Sequence, residues 1–273
     1  MKRIGLFLLL LSFVVVGQPI RVCSFNVRCP GDRAPNNWQA RVPRMRAVLD
    51  KYKLDVIGMQ EMTDRQLKPL LEDGVYESVG VGRNADGGGE KCNIMFLKKR
   101  FSCIDSGTFA LSETPDKPGS RSWKTSCPRI CTWARLKDKK NGKEFVFFNT
   151  HLDHVSEEAR VKGSALILER WDSIAKGLPC FLTGDMNCRP NSKAITQIKT
   201  KLTNSKDISE TPHEGSIGTF HNYRFNPEKP PTIEIDYVFV SQGIKVLKHV
   251  TINDHEGNAF PSDHFPVMAE VEF

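Results

Sequence analysis

The sequence predicts one α/β domain, a layered sandwich of mixed β-sheets with helices on the outside. Short apolar runs recur along the chain as strands do; turn sequences join some of them and amphipathic helices separate others. Hairpins together with strand–helix units imply sheets that contain both strand directions. The 273 residues and the 39% hydrophobic content suffice for one full core, and we find no persistent repeat, linker or low-complexity tract.

The N-terminal part begins with two strand–helix units. A strand is predicted from Ile20 to Val27, and a helix follows from about Asn37 to Tyr52. The apolar residues that recur on one face of this helix are Trp38, Val42, Met45 and Leu49. A second strand spans Asp55–Met59 and leads to Glu61, after which Thr63–Gln66 fits a capping box that opens another helix.

The remaining elements are mostly strands. They are predicted at residues 76–81, 91–97, 101–109, 129–136, 144–149, 179–183, 233–240, 244–250 and 266–273. The Gly87–Gly89 loop separates the first two, and Asn141-Gly142 is a strong turn signal between two of the others. Ser156 is placed to cap a helix whose apolar residues are Ala159, Val161, Ala165, Leu168 and Trp171.

The charge of the chain is mildly basic, with a formal value of +7, or +5 without Lys2 and Arg3. This excess suits a polyanionic substrate without requiring one. No run of like charge resembles a nucleic-acid-binding tail, and Lys137–Lys140 is typical of a solvated hairpin edge.

Residues 1–17 have the pattern of an export signal. Lys2 and Arg3 precede the apolar run Leu6–Val16, and Gly17 supplies a small residue for cleavage. We expect a mature catalytic domain at residues 18–273, without a membrane span, in the periplasm or outside the cell. The alternative is a retained N-terminal anchor, although the run is short for a span. Lipidation of Cys23 is disfavoured, because no small residue precedes it.

Eight cysteines in an exported chain leave room for one or two disulfides, but their spacings are not those of a disulfide framework. Cys23 and Cys180 fall within predicted core strands, where a thiol acts as a small hydrophobe. Cys127 and Cys131 lack the paired spacing of a zinc site. We therefore expect no cysteine to ligate a metal.

Five polar clusters at the C-terminal ends of apolar runs are the strongest functional signal. They are Phe25-Asn26-Val27, Gln60-Glu61, Asn149–Asp153, Gly184–Asn187 and Ser262-Asp263-His264. Because strand ends can converge at one rim of a sheet, such clusters predict one site for a metal and a phosphate. The set is typical of an enzyme, and a binding protein that had lost catalysis would not need all of it.

Three of these residues are candidate magnesium ligands. Glu61 ends a predicted strand, where its carboxylate can be fixed, and Asn26 and Asp263 occupy equivalent rim positions. Carboxylate and amide oxygens suit a partly hydrated magnesium ion. A glutamate at a strand end is also often merely solvated.

Asp185 and Asn187 are candidates for activating water. Gly184 permits a sharp turn, and the one-residue gap places both side chains on one side of an extended segment. The carboxylate could orient and deprotonate water while the amide holds a phosphoryl oxygen. The alternative is an Asx-type turn that closes a strand, which explains one of the two residues more easily than both.

Two histidines complete the candidate site. His151 follows a strand, so its imidazole is presented at a rim, where it could contact a phosphate or protonate a leaving group. His264 lies beside Asp263 and needs a carboxylate partner to orient its ring. Asp236 is a candidate for that partner, since an aspartate inside an apolar strand must be paired or protonated.

Six motifs together carry a resemblance to a known family. They are Phe25–Arg28, Gln60-Glu61, Asn149–Asp153, Thr183–Asn187, Ile235–Phe239 and Ser262–Val267. In this order they resemble the endonuclease/exonuclease/phosphatase superfamily, the metal-dependent phosphoesterases that include deoxyribonuclease I and the abasic endonucleases. The match runs from about Arg21 to the C-terminus, and the chain looks closest to small exported bacterial members similar to nocturnin-type deadenylases.

The resemblance implies a fold and a set of roles. The fold is a four-layered sandwich of two mixed sheets with helices outside. Glu61 would bind Mg²⁺, or Mn²⁺ in its place, with help from Asn26 and Asp263. Asp185 would orient the attacking water, and Asn187 and His151 would contact the phosphate. Asp236 would support His264. Glu90 resembles a family glutamate that can pair with His151, although a glutamate at a strand start is commonly just exposed.

The substrate is the open question, because the catalytic core does not determine it. Arg83 and Arg129 could hold a phosphate, and Trp123 could stack on a base or sugar or simply cover the core. The first hypothesis is a nuclease or exonuclease that acts on nucleic acid or nucleotides as a monomer. A phosphatase or a sphingomyelinase-like lipid phosphodiesterase is the alternative. Inositol polyphosphate phosphatases are disfavoured, because they carry Trp-Cys-Asp-Arg where this chain has Ile235-Asp236-Tyr237.

Overall fold

Within residues 18–226 and 228–273, which the computed structural model describes, the chain forms two β-sheets with helices outside. The strands are β1 Ile20–Asn26, β2 Val56–Gln60, β3 Tyr76–Val79, β4 Ile94–Leu97, β5 Phe101–Ala110, β6 Ile130–Asp138, β7 Glu144–His151, β8 Cys180–Asp185, β9 Thr203–Asn204, β10 Glu214–Gly215, β11 Asp236–Val240, β12 Lys245–Thr251 and β13 Val267–Glu272. The helices are α1 Trp38–Tyr52, α2 Asp64–Leu71, α3 Glu157–Ala175 and α4 Lys193–Ile198, with a 3-10 turn at Ser205–Ile208.

Both sheets are mixed, as the sequence predicts. One has the order β10-β12-β13-β1-β2-β4-β3 and the other the order β5-β6-β7-β8-β11-β9. Strand β1 runs parallel to β2, and β7 runs parallel to β8, while β13 and β11 are the antiparallel neighbours of β1 and β8. The parallel strands β1, β2, β7 and β8 lie at the centre and bring their C-terminal ends to the rim.

Three apolar cores separate four layers, which confirms the predicted sandwich. The core between the two sheets contains buried residues of both, such as Val22 and Phe147. Met45 of α1 packs with Ile57 on the outside of the first sheet. Trp171 of α3 lies in the core outside the second sheet and stacks on Phe148 with ring centroids 4.7 Å apart. The strands of both sheets are therefore covered on both faces near the centre, which explains their continuous apolar runs.

The predicted helix starts are confirmed. The side chain of Asn37 accepts a hydrogen bond from the Ala40 N–H at 3.0 Å, and Ser156 Oγ accepts one from the Ala159 N–H at 3.1 Å. Gln66 Oε1 reaches back to the Thr63 N–H at 3.1 Å, as a capping box requires.

Several boundaries and contacts differ from the prediction. The strand predicted at 91–97 begins at Ile94, and the one predicted at 233–240 begins at Asp236, because the Ile233 carbonyl accepts from Thr219 and Phe220 in a neighbouring loop. The short elements between residues 193 and 215 lack a clear apolar period and were not predicted.

All eight cysteines are free in this structure, so the one or two disulfides for which the sequence leaves room are not formed. The predicted export signal at residues 1–17 lies outside the described residues. Among the helices of the described part of the chain, we find none that is long and apolar enough to cross a membrane.

Candidate active site

The strand ends of the two sheets meet at one rim, and the predicted polar residues meet there. His151 ends β7, Asp185 ends β8 and Asp236 begins β11, and the three stand in register across these neighbouring strands. In the other sheet, Asn26 ends β1 in register with Gln60 at the end of β2. The antiparallel direction of β11 and β13 explains why Asp236 begins its strand and His264 lies just before the start of β13.

A buried polar seam joins the two sheets directly beneath the site. Gln60 Nε2 donates to Asn149 Oδ1 at 2.6 Å, and Thr183 Oγ1 donates to the same oxygen at 3.1 Å. Asn149 Nδ2 in turn donates to the carbonyl oxygen of Met59 at 2.8 Å. The sheets can approach this closely because position 58 is glycine: a Cβ there would lie 2.1 Å from Thr183 Oγ1.

A buried carboxylate–imidazole–carboxylate group forms the floor of the site. His264 Nδ1 lies 2.9 Å from Asp236 Oδ2, and His264 Nε2 lies 3.8 Å from Asp185 Oδ2. Thr219 Oγ1 donates to the same Asp236 oxygen at 2.6 Å. Since a carboxylate can only accept, His264 carries a proton on Nδ1 and turns Nε2 towards Asp185.

The Asp185 carboxylate is held from three sides. Asn26 Nδ2 donates to Oδ2 at 2.9 Å, and the Asn187 N–H donates to Oδ1 at 2.9 Å. His151 Nε2 lies 3.4 Å from Oδ2. Asn187 adopts a left-handed φ of 48° and its side-chain amide donates to the Leu152 carbonyl at 2.9 Å. Asp185 and Asn187 therefore lie together in the site. The hydrogen bond from the Asn187 N–H to the Asp185 side chain, two residues earlier, also fits the Asx-type turn that the sequence offers as the alternative.

The two histidines are in opposite ionisation states. Burial lowers the pKa of His151 well below its usual range, and the Arg129 guanidinium and His264 lower it further. Burial also opposes charge on His264, but the carboxylates of Asp236 and Asp185 outweigh it and raise the pKa of His264 to about 10. Burial together with the negative charge of Asp236 raises the pKa of Asp185. At neutral pH the site thus contains one imidazolium and one neutral imidazole.

Glu61 and Asp263 form the acidic edge of the site. Asn26 Nδ2 donates to Glu61 Oε1 at 3.1 Å, and the Cys29 N–H donates to Glu61 Oε2 at 2.9 Å. Burial opposes charge on Glu61, but these two hydrogen bonds lower its pKa below the usual value. Asp263 Oδ2 lies 3.7 Å from Arg28 Nε. Glu61 is therefore ionised at neutral pH and faces the cavity.

The donor set of this acidic edge fits a hard divalent cation. Both carboxylates line the cavity, and their oxygens are the ligands that magnesium and manganese prefer. Asn26 differs from the expectation, because its amide nitrogen bridges Glu61 and Asp185 while its Oδ1 accepts from the Arg28 N–H at 3.0 Å. In this arrangement Asn26 sets the spacing between the carboxylates of Glu61 and Asp185.

Asp185, Asp236 and His264 also present possible ligand atoms within 4.8 Å of one another. His264 Nδ1 already donates its proton to Asp236, so this nitrogen is engaged in a hydrogen bond. We interpret this buried group as the proton-transfer part of the site, beside the acidic edge.

Two arginines line one wall of a cavity of about 620 Å³ above these groups. Arg83 forms a bidentate pair with Glu90 at 2.8 and 2.9 Å, so the Glu90 carboxylate pairs with Arg83, where the sequence predicts pairing with His151. Arg129 is buried, with one terminal nitrogen 2.9 Å from His154 Nδ1 and its Nε 3.6 Å from Asp153.

Trp123 is the one predicted substrate residue that the structure does not bring to the cavity. Its Nε1 donates to Glu113 at 3.2 Å, and the Lys162 ammonium lies 5.8 Å from its ring centroid. Trp123 therefore packs near α3 and is not among the residues that line the cavity.

Sequence reasoning did not assign several cavity residues. Arg28 falls within a quoted motif and pairs with Asp32 four residues later, a spacing that could have drawn attention to it. Phe220 and Asn222 come from the irregular segment before β11, and the Phe220 ring lies 4.8 Å from the His264 ring. This segment has no apolar period, so its place over the site could not be found from the sequence.

Comparisons with known proteins agree with this geometry. Residues 23–264 match the model of the endonuclease/exonuclease/phosphatase family. An endonuclease/exonuclease/phosphatase from Bacteroides vulgatus is 34% identical, with a TM-score of 0.87 over 94% of this chain and 100% of that one. A mannosyl-6-phosphatase from Bacteroides thetaiotaomicron is 33% identical, with a TM-score of 0.86 over 93% of this chain and 100% of that one.

A curated relative lies at greater distance. Nocturnin from Xenopus laevis is 22% identical over 90% of this chain, and the match spans 67% of that protein. The family match covers most of the chain, and the solved Bacteroides structures share more than 30% of its sequence over nearly their full length. The chain therefore belongs to the endonuclease/exonuclease/phosphatase family, whose members are hydrolases of phosphoester bonds.

Proposed function

We propose that this protein is a divalent-metal-dependent phosphatase that acts on small phosphate monoesters such as sugar phosphates. One observation carries the proposal: the catalytic groups form the floor of a cavity of about 620 Å³ with Arg83 and Arg129 in its wall. That volume lies within the range of small-molecule sites, roughly 300–1,000 Å³. The likeness to a mannosyl-6-phosphatase supports the same class of substrate.

A phosphodiesterase acting on nucleic acid or nucleotides is the second candidate. The formal charge of +7 favours it, since a basic surface attracts a polyanion. Against it, Phe220 is the one aromatic residue that lines the cavity among the described residues, and its ring packs on His264. Trp123, the predicted stacking platform for a base, lies elsewhere, so the site offers little for base recognition.

The residues of the floor divide the proton-transfer steps. Asp185 accepts the proton of an attacking water, and burial makes this carboxylate a stronger base than an exposed aspartate. His264, kept charged by Asp236, places a positive N–H where negative charge grows on the phosphoryl group. The neutral His151 contributes a hydrogen bond without adding a second buried charge. The division follows from environments that move these pKa values apart.

Glu61 and Asp263 would hold the divalent metal. When bound, a magnesium ion would polarise a phosphoryl oxygen and offset the charge of the ester. Asn26 keeps the Glu61 carboxylate next to Asp185, so the metal-binding and water-activating groups are tied to each other. We also propose that the enzyme is exported and acts as a monomer, on the strength of its leader-like N-terminal sequence and its self-contained site.

A substrate panel tests the proposed class. Purified protein with magnesium should release phosphate from mannose 6-phosphate or glucose 6-phosphate with a kcat/KM at least about tenfold above that for single-stranded DNA, RNA or sphingomyelin, because the size and arginine wall of the cavity suit a small phosphate monoester. The comparison uses equal enzyme with and without a chelator. A preference of the same size for an oligonucleotide would replace this proposal with the second candidate.

A further inference from the structure

Arg41 is a fully buried arginine of α1 whose hydrogen-bond partners are backbone carbonyls. It is 0% exposed, and its guanidinium lies 5.3 Å from the centre of the Trp38 ring. Burial lowers its pKa, so the charge is placed where water cannot help to solvate it. Burying a cation costs desolvation free energy, which five carbonyl oxygens offset here. The segments that supply these oxygens border the candidate site.

Four of the five carbonyls belong to the loop that follows β1. Arg41 donates to Val27 and, from its second terminal nitrogen, to Arg28 at 3.0 Å and Cys29 at 3.4 Å. Its Nε donates to the Asn36 carbonyl at 2.8 Å. The same loop presents its N–H groups to the site: that of Arg28 to Asn26 Oδ1 at 3.0 Å, and that of Cys29 to Glu61 at 2.9 Å. Arg41 therefore fixes the carbonyl side of peptides whose N–H groups fix Asn26 and Glu61.

The fifth carbonyl belongs to the segment that leads into β13. Arg41 donates to Pro261 at 3.3 Å, two residues before Asp263. Ser262 Oγ then donates to the Asn26 carbonyl at 2.7 Å, which joins this segment to the end of β1. Arg44, one turn further along α1, donates to the Phe260 carbonyl at 3.0 Å. One helix thus holds two loops that are more than 200 residues apart in the chain: one donates the Cys29 N–H to Glu61, and the other carries Asp263.

We infer that Arg41 is a positioning residue for the metal site: it clamps the loop at 27–29 to the segment at 261–263 and thereby sets the spacing of Glu61 and Asp263. Its link to a metal rests on the proposed function, whereas the clamp itself does not. A planar guanidinium has five donors in a fixed fork and can reach all five carbonyls, whereas an ammonium has only three donors on a single nitrogen. Displacements of about 1 Å can cost roughly 100-fold in rate, so a loosened clamp affects catalysis without removing any catalytic group.

The test compares Arg41→Lys with Arg46→Lys on the same helix. Arg46 pairs with Asp73 and the Pro69 carbonyl away from the site, so it controls for loss of an arginine from α1. The first measurement is amide hydrogen exchange in the folded protein. The second is the magnesium concentration that gives half-maximal phosphatase activity, together with kcat and KM, and the third is Mn²⁺ affinity by paramagnetic resonance.

For Arg41→Lys we expect faster exchange in both segments, residues 27–29 and residues 262–264. The Mn²⁺ affinity should fall at least about tenfold, and the magnesium concentration that gives half-maximal activity should rise by a similar factor. The KM for the sugar phosphate should stay within about threefold of wild type. Arg46→Lys should match wild type in all of these. Unchanged exchange in the two segments overturns the clamp, and faster exchange with unchanged Mn²⁺ affinity overturns its role at the metal site. A wild-type protein without phosphatase activity would refute the proposed function, while the exchange data would still decide the clamp.

Arg44→Met provides a second route if Arg41→Lys does not fold. Arg44 is only half-buried, and its loss removes the contact to Phe260 while Arg41 remains in place. Exchange should then quicken in residues 262–264 but not in 27–29, with at least a twofold weaker Mn²⁺ affinity. Faster exchange in residues 262–264 with unchanged Mn²⁺ affinity would overturn the inference, because movement of this segment would then not reach the metal site.

Discussion

At the scale of single residues, the site depends on the charge that each side chain keeps in a buried setting. His264 and His151 are both buried beside Asp185, yet His264 is charged and His151 is neutral. The difference lies in the second ring nitrogen, because His264 Nδ1 has the carboxylate of Asp236 as its partner. A carboxylate in that place raises the basicity of the imidazole and fixes its tautomer.

Replacement of Asp236 by asparagine should therefore impair catalysis through His264. We expect kcat to fall roughly 100-fold or more with KM within about threefold, because the amide keeps the shape but removes the charge. Asp236, together with Asp185, raises the pKa of His264 to about 10, so loss of the Asp236 charge should also move the alkaline limb of the pH–rate profile to lower pH. Steady-state kinetics from pH 6 to 10 measures both.

Thr219→Val is the matched control for Asp236→Asn. It removes a 2.6 Å hydrogen bond to Asp236 but leaves the carboxylate in place, so the alkaline limb should shift less. An Asp236→Asn enzyme with the wild-type profile would show that His264 needs no charged partner.

At the scale of elements, the site exists because strands from two sheets end at the same level. The sequence predicts Asn26, Glu61, His151 and Asp185 at strand ends, since apolar runs precede each of them. Pattern alone does not say that these ends belong to two sheets in contact. The contact depends on Gly58, where a Cβ would lie 2.1 Å from Thr183 Oγ1 and 2.5 Å from Asn149 Oδ1.

Gly58→Ala should separate the sheets beneath the site. The added methyl group has no space among buried, hydrogen-bonded side chains, so we expect the free energy of unfolding to fall by at least about 2 kcal/mol. Urea denaturation measures the loss. Gly31→Ala is the control, since a Cβ at position 31 would meet nothing within 4 Å. Equal stability of the two variants would contradict the close approach of the sheets.

At the scale of the whole molecule, the residues in the motifs were more predictable than those that cover the cavity. The motif residues lie on strands whose apolar pattern and order along the chain indicate the family. Arg83 and Arg129 of the wall were also predicted, whereas the cover from Phe220 and Asn222 depends on a loop whose path is set by long-range contacts, such as that of Phe220 with His264. The place of Trp123 could not be predicted from its residue type, because a large aromatic side chain in a rim segment can equally pack against a helix.

The most direct test of the whole account is phosphate release from a sugar phosphate by wild type and Asp185→Asn, each with magnesium and with a chelator. The account predicts that Asp185→Asn and chelation each lower the rate at least about 1,000-fold. Because burial raises the pKa of Asp185, a neutral amide should leave the melting temperature unchanged or higher. A folded Asp185→Asn protein with more than a tenth of the wild-type rate, or full wild-type activity in the chelator, would contradict the account.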